Sequence, residues 1–266
     1  MAAAPRNPVE RALQMINLMG ASGDPDRIWG VRELAVALEI PPSAAHRTLA
    51  SLVSASWLKR DESGRGYCLG LELIRLSFLI SGNHPLRRIA KPVMEDLVAE
   101  CDETVLLGVL NPENLRMIFA LSVESQNPLR YVVELNRWIP IHYSASGLGI
   151  MAFLPEAQRE EVLSRADLER AHEETVTAPD LIRAEINKIR RQGYAISFGQ
   201  RLQDAVGIAA PIFGPEREVI GDLCITLPKQ RFNGTQDEAR LSATVIKHAT
   251  RISQILAQGS GDTHDH

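Results

Sequence analysis

The chain has 266 residues, of which 45% are apolar and 23% are charged, and its formal net charge is −4. This length favours two domains, and the composition is typical of globular proteins. The sequence contains no apolar run long enough to cross a membrane and no recognisable secretory signal, so we expect a cytoplasmic protein.

Cysteine and histidine usage argues against a metal centre. Cys68, Cys101 and Cys224 lie far apart in the sequence, and the histidines lack the spacing of metal ligands. Only His264 and His266, in a polar tail, are spaced for adventitious metal binding. We therefore expect reduced thiols, no structural metal and no cofactor.

Charge is unevenly distributed along the chain. Residues 1–70 carry eight Lys and Arg against seven acids, whereas the remainder carries 21 against 26. Between Ser43 and Arg60 the sequence has three Lys and Arg and no acid. Nucleic-acid binding requires a local basic surface of this kind, whatever the net charge of the whole chain.

Residues 31–70 predict a winged helix-turn-helix, which a further helix precedes and braces. A first amphipathic helix is expected over residues 9–19, with its packed face at Val9, Leu13, Ile16 and Met19. Two short helical patterns follow, and Pro41 and Pro42 between them end the first and begin the second. Ser43 lies in the opening turn of the second pattern, where its hydroxyl is placed to accept a hydrogen bond from a backbone N–H.

A strand, a glycine-containing turn and another strand follow over residues 57–69, which predicts a β-hairpin, or wing. The exposed face of the second helix suits a major groove, and basic wing residues can reach phosphate or the minor groove. The DNA contacts predicted from this pattern are Ser43, His46, Arg47, Lys59, Arg60 and Arg65. The alternative is a bundle of small helices with a solvated basic hairpin.

The rest of the chain predicts a second domain of a different kind. Residues 71–80 form an apolar helical pattern, either a connector and dimer contact or an ordinary capping helix. Further helices are expected over 87–101, 148–154, 156–165, 181–192 and 237–257, and strands over 104–110, 115–123, 129–135, 194–198, 205–213 and 219–227. Paired strands with segregated helices predict an α+β domain with an antiparallel sheet.

Several segments, in this order and spacing, resemble the isocitrate-lyase-regulator (IclR) family of bacterial transcription factors. They are VERAL, LAVALEIPPSAAHRTLASL, GRGYCLGLELIRL, IPIHYSASGLGIMAFLP, RRQGYAI and VGIAAPIFGPEREVIGDL. The resemblance implies an N-terminal winged helix-turn-helix DNA-binding domain (residues 1–70), a connector (71–85), a C-terminal GAF-like effector-binding domain (86–258) and a disordered tail (259–266). It also implies a homodimer or homotetramer that binds double-stranded operator DNA and responds to a small organic acid.

The chain departs from the family pattern in the predicted DNA contacts. Glu39 stands where glycine is common, and Pro42 replaces a basic residue. Ala44 stands where threonine is common, and the resemblance implies that its small side chain faces the groove. Ala44 therefore joins the predicted DNA contacts, and the turn is expected to be less tight than usual.

The predicted effector site begins at a polar loop that leads into a helix N-terminus, a position suited to a carboxylate. The resemblance adds positions on the strands that follow. At several of them the family commonly has a polar or acidic residue and this chain has a different one. The predicted ligand contacts are Ser144, Ser146, Gly147, Leu148, Ser197, Gly207, Cys224 and Thr226. Because Leu148 replaces a basic residue and Gly207 a cysteine, we expect an effector that is less polar or bulkier than a two- or three-carbon acid, such as an aromatic acid.

Enzyme functions compete weakly with this interpretation. Residues 147–152 fit G-x-G-x-x-A with Asp167 roughly twenty residues on, but they do not follow a buried parallel strand. His142, Ser144 and Ser146 suggest acyl transfer by residue type alone, and no G-x-S-x-G turn is present. We predict no catalytic residue. The remaining alternative is a small-molecule sensor or enzyme whose N-terminal domain binds a protein.

Overall fold

The structure is a computed structural model that describes residues 5, 7–24, 26–62, 64–83, 85–165 and 168–259. The chain divides into two compact units, residues 1–84 and 85–266. The predicted tail beyond residue 259 lies outside the described residues, as do Ser63 in the wing turn and Asp167.

The first unit has a winged helix-turn-helix fold. Its elements are α1 (Pro8–Gly20), α2 (Val31–Ala37), α3 (Pro42–Ser54), β1 (Leu58–Arg60), β2 (Tyr67–Leu69) and α4 (Leu71–Asn83). Met15, Leu34 and Leu49, from the first three helices, are fully buried in one core. The helical spacing of these apolar residues therefore brings three short helices together, none of which is long enough to be stable alone.

Local contacts fix where the elements of the first unit begin and turn. The side chain of Asn7 accepts hydrogen bonds from the backbone N–H groups of Val9 and Glu10, at 3.0 and 2.9 Å, and so caps α1. Between α2 and α3, Glu39 has a φ of 54°. The turn therefore keeps the left-handed conformation that glycine adopts easily, although the residue is not glycine.

Three sequence-based details of the first unit are wrong. Val9 and Leu13 are 69% and 56% exposed, because α1 packs through Met15 together with the predicted Met19. The cap position of α3 is Pro41, and no side chain makes a capping hydrogen bond there, so Ser43 does not have that role. Helix α4 runs beyond residue 80, since nothing in the sequence before Pro85 prevents helical geometry.

The second unit is an α+β domain, as predicted. Its elements are α5 (Pro85–Cys101), β3 (Thr104–Asn111), β4 (Arg116–Val123), β5 (Ile139–Pro140), α6 (Ser144–Met151), α7 (Glu156–Leu163), α8 (Pro179–Gln192), β6 (Ala195–Phe198), β7 (Ala205–Phe213), β8 (Val219–Pro228), a 3₁₀ turn (Lys229–Arg231) and α9 (Thr235–Gly259). The strands form one sheet in the order β5-β4-β3-β8-β7-β6, and every pair is antiparallel.

Helices cover both faces of this sheet. Along β8, Leu223, Ile225 and Leu227 belong to the core shared with α5 and α9. Cys224 points the other way and belongs to the core shared with α6 and α8. Because neighbouring side chains alternate between the faces of a strand, the even-numbered positions of β8 face α6.

Two predictions for the second unit are wrong. Residues 129–135 do not form a strand: Leu129 and Val132 are exposed, and the edge of the sheet is the short strand β5. Helix α6 begins at Ser144 rather than near Leu148. The G-x-G-x-x-A pattern therefore lies within a helix that follows an antiparallel edge strand, which is not the context of a dinucleotide-binding turn.

Candidate functional site

Helix α3 presents a polar face to solvent. Ser43, His46, Arg47 and Ala50 are exposed, whereas Leu49 on the opposite side is fully buried. Helix α3 follows α2 after the short turn at Glu39, the arrangement in which the second helix of a helix-turn-helix enters the major groove. The exposed side chains can therefore approach base edges and phosphates.

The wing adds further exposed cations. Lys59, Arg60 and Arg65 are exposed, and Arg60 Cζ lies 5.6 Å from the centre of the Tyr67 ring. Asp61 organises the turn, because its Oδ1 accepts a hydrogen bond from the Gly66 N–H at 2.6 Å. The turn thus carries Arg65 on a defined hairpin rather than on a loose loop.

Ala44 does not belong to this surface. It is 6% exposed, and its carbonyl accepts a hydrogen bond from the hydroxyl of Thr48, which is also buried. The prediction that Ala44 faces the groove is wrong, because the helical period turns this position towards the core. Sequence reasoning also missed Arg11 of α1, which lines the same surface groove as Arg47; no signal connects two positions so far apart in sequence.

The second unit contains a cavity between α6 and the sheet. Its volume is about 40 Å³, and the atom-free space is about 400 Å³ when the open mouth is counted. Its lining includes these predicted residues: Ser144, Ser146, Ser197, Gly207, Cys224 and Thr226. The structure therefore brings together residues that lie on α6 and on three strands.

Pairing across the sheet explains this convergence. Ser197 pairs with Gly207, and Gly207 pairs with Thr226, so the three residues form one row across β6, β7 and β8. A Cβ atom at position 207 would lie 3.2 Å from the Cβ of Ala145 and 3.7 Å from Cys224 Sγ. Glycine at this position therefore keeps the cavity open where a side chain would fill it.

The start of α6 is held tightly against the cavity. Ser144 has a φ of 66°, a conformation that costs a non-glycine residue about 1–2 kcal/mol. The Ala145 N–H donates to Ser197 Oγ at 2.9 Å, which ties the first turn of α6 to β6. Backbone strain of this kind occurs often at ligand sites, where the surroundings enforce it.

Gly147 and Leu148 lie outside the cavity lining. A Cβ atom at position 147 would come within 2.8 Å of the Ile141 carbonyl oxygen, so glycine here permits close backbone packing. The side chain of Leu148 belongs to the apolar core. Both residues support α6 and do not face the cavity.

Arg201 is a lining residue that the sequence reasoning missed. It lies in the segment between β6 and β7, and its Cζ is 4.8 Å from the centre of the Phe119 ring. Burial lowers the pKa of its guanidinium from the usual value. The cavity therefore contains a cation, although the position after Gly147 that commonly supplies one is Leu148.

Asp222 is a second missed residue. It is fully buried next to the cavity, and burial raises the pKa of its carboxyl to about 7, a shift that the nearby Ser146 hydroxyl only partly opposes. Neither carboxylate oxygen nor Ser146 Oγ has a partner at hydrogen-bonding geometry within the described structure. The visible signal is an acid within the otherwise apolar strand sequence VIGDLCITLP.

The geometry gives no support to the enzyme alternatives. His142 Nε2 contacts the Glu169 backbone carbonyl at 2.8 Å, and burial lowers the pKa of the ring. Burial also raises the pKa of the Cys224 thiol to about 12, so this sulfur is not a nucleophilic thiolate. Within the described residues, no cluster of three His, Cys, Asp or Glu side chains is arranged to hold a metal.

The fold and the two sites define a class of protein, in which a winged-helix DNA-binding unit is joined to an α+β ligand-binding unit. Residues 8–62 match the family model of the IclR helix-turn-helix domain, and residues 79–254 match that of the bacterial transcriptional regulator IclR C-terminal domain. The chain belongs to the IclR family of bacterial transcriptional regulators.

Individual relatives are similar in sequence over most of the chain. The HTH-type transcriptional regulator KipR of Bacillus subtilis is 31% identical over 217 residues, which are 82% of this chain and 85% of KipR. The glycerol operon regulatory protein of Streptomyces coelicolor is 29% identical over 253 residues, or 94% of this chain and 96% of that protein.

Solved structures agree as well. An IclR transcriptional regulator from Silicibacter sp. TM1040 has a TM-score of 0.83 at 25% identity, with 94% of this chain and 96% of that chain covered. An IclR homologue from Microbacterium hydrocarbonoxydans, solved in complex with 4-hydroxybenzoate, has a TM-score of 0.77 at 26% identity, with 95% and 100% covered.

Proposed function

We propose that this chain regulates transcription by binding operator DNA through α3 and the wing, in a manner controlled by a small organic acid. The observation that carries the DNA-binding part is the exposed face of α3, where Arg47 has no acidic neighbour in sequence up to Arg60. Cations on a groove-sized helix and on an adjoining hairpin are the elements that winged-helix proteins use to bind a duplex.

The proposal divides the contacts into two kinds. Ser43, His46 and Arg47 contact base edges or phosphates in the major groove, because they share the exposed face of α3. Lys59, Arg60 and Arg65 contact phosphates or the minor groove, because they lie on the wing. Ala44 has no contact with DNA in this proposal.

The cavity beside α6 is the proposed effector site. Hydroxyl groups, a neutral thiol and one guanidinium line it together with apolar side chains, which suits a compact molecule with one polar end. An aromatic or another less polar acid is the preferred class, and the 4-hydroxybenzoate complex of a 26% identical relative supports it. A ring would occupy the mouth of the cavity as well as its enclosed part.

The remaining parts of the proposal concern assembly and location. Leu71, Ile74 and Phe78 on α4 are 74%, 47% and 75% exposed, and large apolar side chains along one helix favour contact with a second copy. We therefore propose a homodimer or homotetramer that acts on DNA in the cytoplasm and is not an enzyme. Within the described residues, no helix is long and apolar enough to cross a membrane.

Selection of duplexes from a random pool by the full-length protein tests this function. We expect specific duplexes to bind at least ~10³-fold more tightly than random DNA, with affinity falling steeply as salt increases. The control variant is Arg190→Gln, which removes an exposed cation from α8 and leaves the affinity unchanged. Enrichment of no sequence at any salt concentration would favour an N-terminal unit that binds a protein instead.

A further inference from the structure

Arg201 is a partly buried arginine of the second unit that has no ion-pair partner among the described residues. Arg116 and Arg231, with side chains 28% and 29% exposed, pair with Glu169 and Glu103, respectively. Among the described residues, no carboxylate forms an ion pair with Arg201; Glu134 favours the charged form of Arg201 only at longer range, and the guanidinium lies over the face of the Phe119 ring at 4.8 Å. A cation that has lost much of its hydration without gaining a counter-charge is unfavourable.

The rest of the cavity lining contains no group that neutralises the charge of Arg201, so a bound anion would do so. Arg201 is the one charged residue of the lining, which otherwise consists of polar neutral and apolar side chains. A carboxylate matches the planar guanidinium with two parallel hydrogen bonds. The Phe119 ring lies against the guanidinium, so a carboxylate has to approach from a direction that the ring leaves free.

A second group in the lining of the cavity also lacks a hydrogen-bond partner. Ser146 is 2% exposed, lines the cavity, and has no hydrogen-bond partner for its hydroxyl within the described structure. A buried hydroxyl without a partner is unusual, because such groups normally bond to protein or water. Ser146 therefore offers a neutral hydrogen-bonding position in a lining whose one charged residue is Arg201, with the buried acid Asp222 beside it.

We propose that Arg201 anchors the effector through a single carboxylate, and that the site selects monocarboxylates over both their neutral amides and the corresponding dicarboxylates. This inference rests on the proposed function, since it assigns the effector to the cavity beside α6. A second carboxylate would find no cation among the lining residues and would lose its hydration without compensation. The neutral end of the effector meets Ser146, and its apolar body packs against residues such as Leu106 and Phe119.

Calorimetry on the full-length protein tests the anchor. The probes are monocarboxylates of two to seven carbons, benzoate and 4-hydroxybenzoate included, each compared with its primary amide and with a dicarboxylate of the same skeleton. We expect the wild type to bind at least one acid roughly 10- to 100-fold more tightly than its amide, the range of a charge-assisted hydrogen bond. We expect the dicarboxylate to bind no better than the amide.

Variants assign this preference to one side chain. Arg201→Gln removes the preference for acid over amide, Arg201→Lys keeps part of it, and Arg190→Gln on α8 keeps all of it. Thermal unfolding of the unliganded variants checks that each is folded. If Arg201→Gln does not fold, the comparison of the wild type with Arg201→Lys provides the test. The anchor is rejected if no acid is preferred over its amide in the wild type, or if Arg201→Gln keeps the preference.

A further variant separates failure of the anchor from failure of the proposed site. Thr226→Phe places a ring in the cavity, so it abolishes binding of any ligand held there. If a probe binds Thr226→Phe as well as it binds the wild type, the cavity is not the effector site. If amides bind the wild type as tightly as acids and alter DNA binding, and Thr226→Phe abolishes both effects, the site is correct and only the anchor is wrong.

Discussion

Asp222 is a buried side chain that is expected to make the stability of the protein depend on pH. It lies on a central strand, fully enclosed, with no cation against it in the described structure and with its oxygens unpaired. A charged carboxylate in that position is unfavourable, and burial raises its pKa from 3.8 to about 7. The folded protein therefore keeps Asp222 protonated under mildly acidic conditions.

Stability is expected to depend on pH through this residue. Between about pH 4 and pH 7 the folded state holds a proton that the unfolded state has released. The contribution of Asp222 to the free energy of unfolding therefore decreases as the pH rises through this range, by an amount on the order of 4 kcal/mol, and is constant above it. Urea unfolding of the wild type and Asp222→Asn at pH 5 and pH 8 measures the effect. The free energy of unfolding of Asp222→Asn, relative to that of the wild type, should be larger at pH 8 than at pH 5. An equal difference between variant and wild type at both pH values would contradict the assignment.

Arg47 carries the residue-scale prediction for DNA binding. Because its side chain is exposed on α3 and is not part of the core, Arg47→Ala should weaken operator binding by roughly 10- to 100-fold without altering thermal unfolding. Fluorescence anisotropy with a selected operator at physiological salt measures the change, and Arg190→Ala provides a matched control in the other unit. Unchanged affinity would remove Arg47 from the contact surface.

At the scale of elements, the turn between α2 and α3 keeps its geometry at an energetic cost. Glu39 adopts a φ of 54°, which is unfavourable by about 1–2 kcal/mol for a residue with a side chain. Glu39→Gly should therefore stabilise the protein by about 1 kcal/mol, after allowing for the greater flexibility of glycine in the unfolded chain. Chemical denaturation measures this gain. The control Glu39→Ala removes the charge but not the strain, so an equal gain in both variants would refute the explanation.

The wing makes a different contribution to DNA binding from that of α3. Arg65 lies near the tip of the hairpin, where a contact with phosphate does not depend on base sequence. Arg65→Ala should weaken specific and non-specific duplexes by similar factors and reduce the slope of log affinity against log salt by about 1. Titrations at several salt concentrations measure the slope; a slope identical to that of the wild type would exclude the contact.

Helices and strands could be predicted from the sequence where the local pattern of apolar residues and capping residues determines them. The nearly continuous apolar runs of β7 and β8 and the amphipathic helix α8, which Gly193 ends at a φ of 82°, follow from local composition, periodicity and capping alone. Residues 129–135 have a strand-like composition, but no neighbouring strand pairs with them. Strand formation depends on such a partner, and periodicity carries no information about it.

The cavity was predictable only in part for the same reason. The family resemblance points to Cys224 and Thr226, and their register with Gly207 and Ser197 places most of the predicted ligand contacts together. Arg201 lies in an irregular segment without a period, so nothing in the sequence shows that it points into the cavity. Asp222 is visible in the sequence as an acid within an apolar strand, but its raised pKa depends on complete burial, which the sequence alone does not give.

At the scale of the whole molecule, regulation requires that the two units influence each other's binding equilibria. Thr226→Phe should abolish the response to effector while leaving DNA binding in the absence of effector intact, because Thr226 lies in the second unit and α3 in the first. In the wild type, operator DNA should change effector affinity by the same factor by which effector changes operator affinity. Calorimetry with and without operator measures this factor; a bound effector whose affinity is unaffected by operator would reject the coupling.

The close packing of Gly108 against Asp222 also links the two positions. The two residues are partners across β3 and β8, and a Cβ atom at position 108 would lie 1.8 Å from Asp222 Oδ1. A side chain at position 108 therefore requires the Asp222 side chain to move from its buried position. A smaller residue at position 222 would remove the most severe contact of such a side chain and leave the one with Met117 Cε, at 2.7 Å. A change at either of the two positions is therefore expected to alter what the other position tolerates.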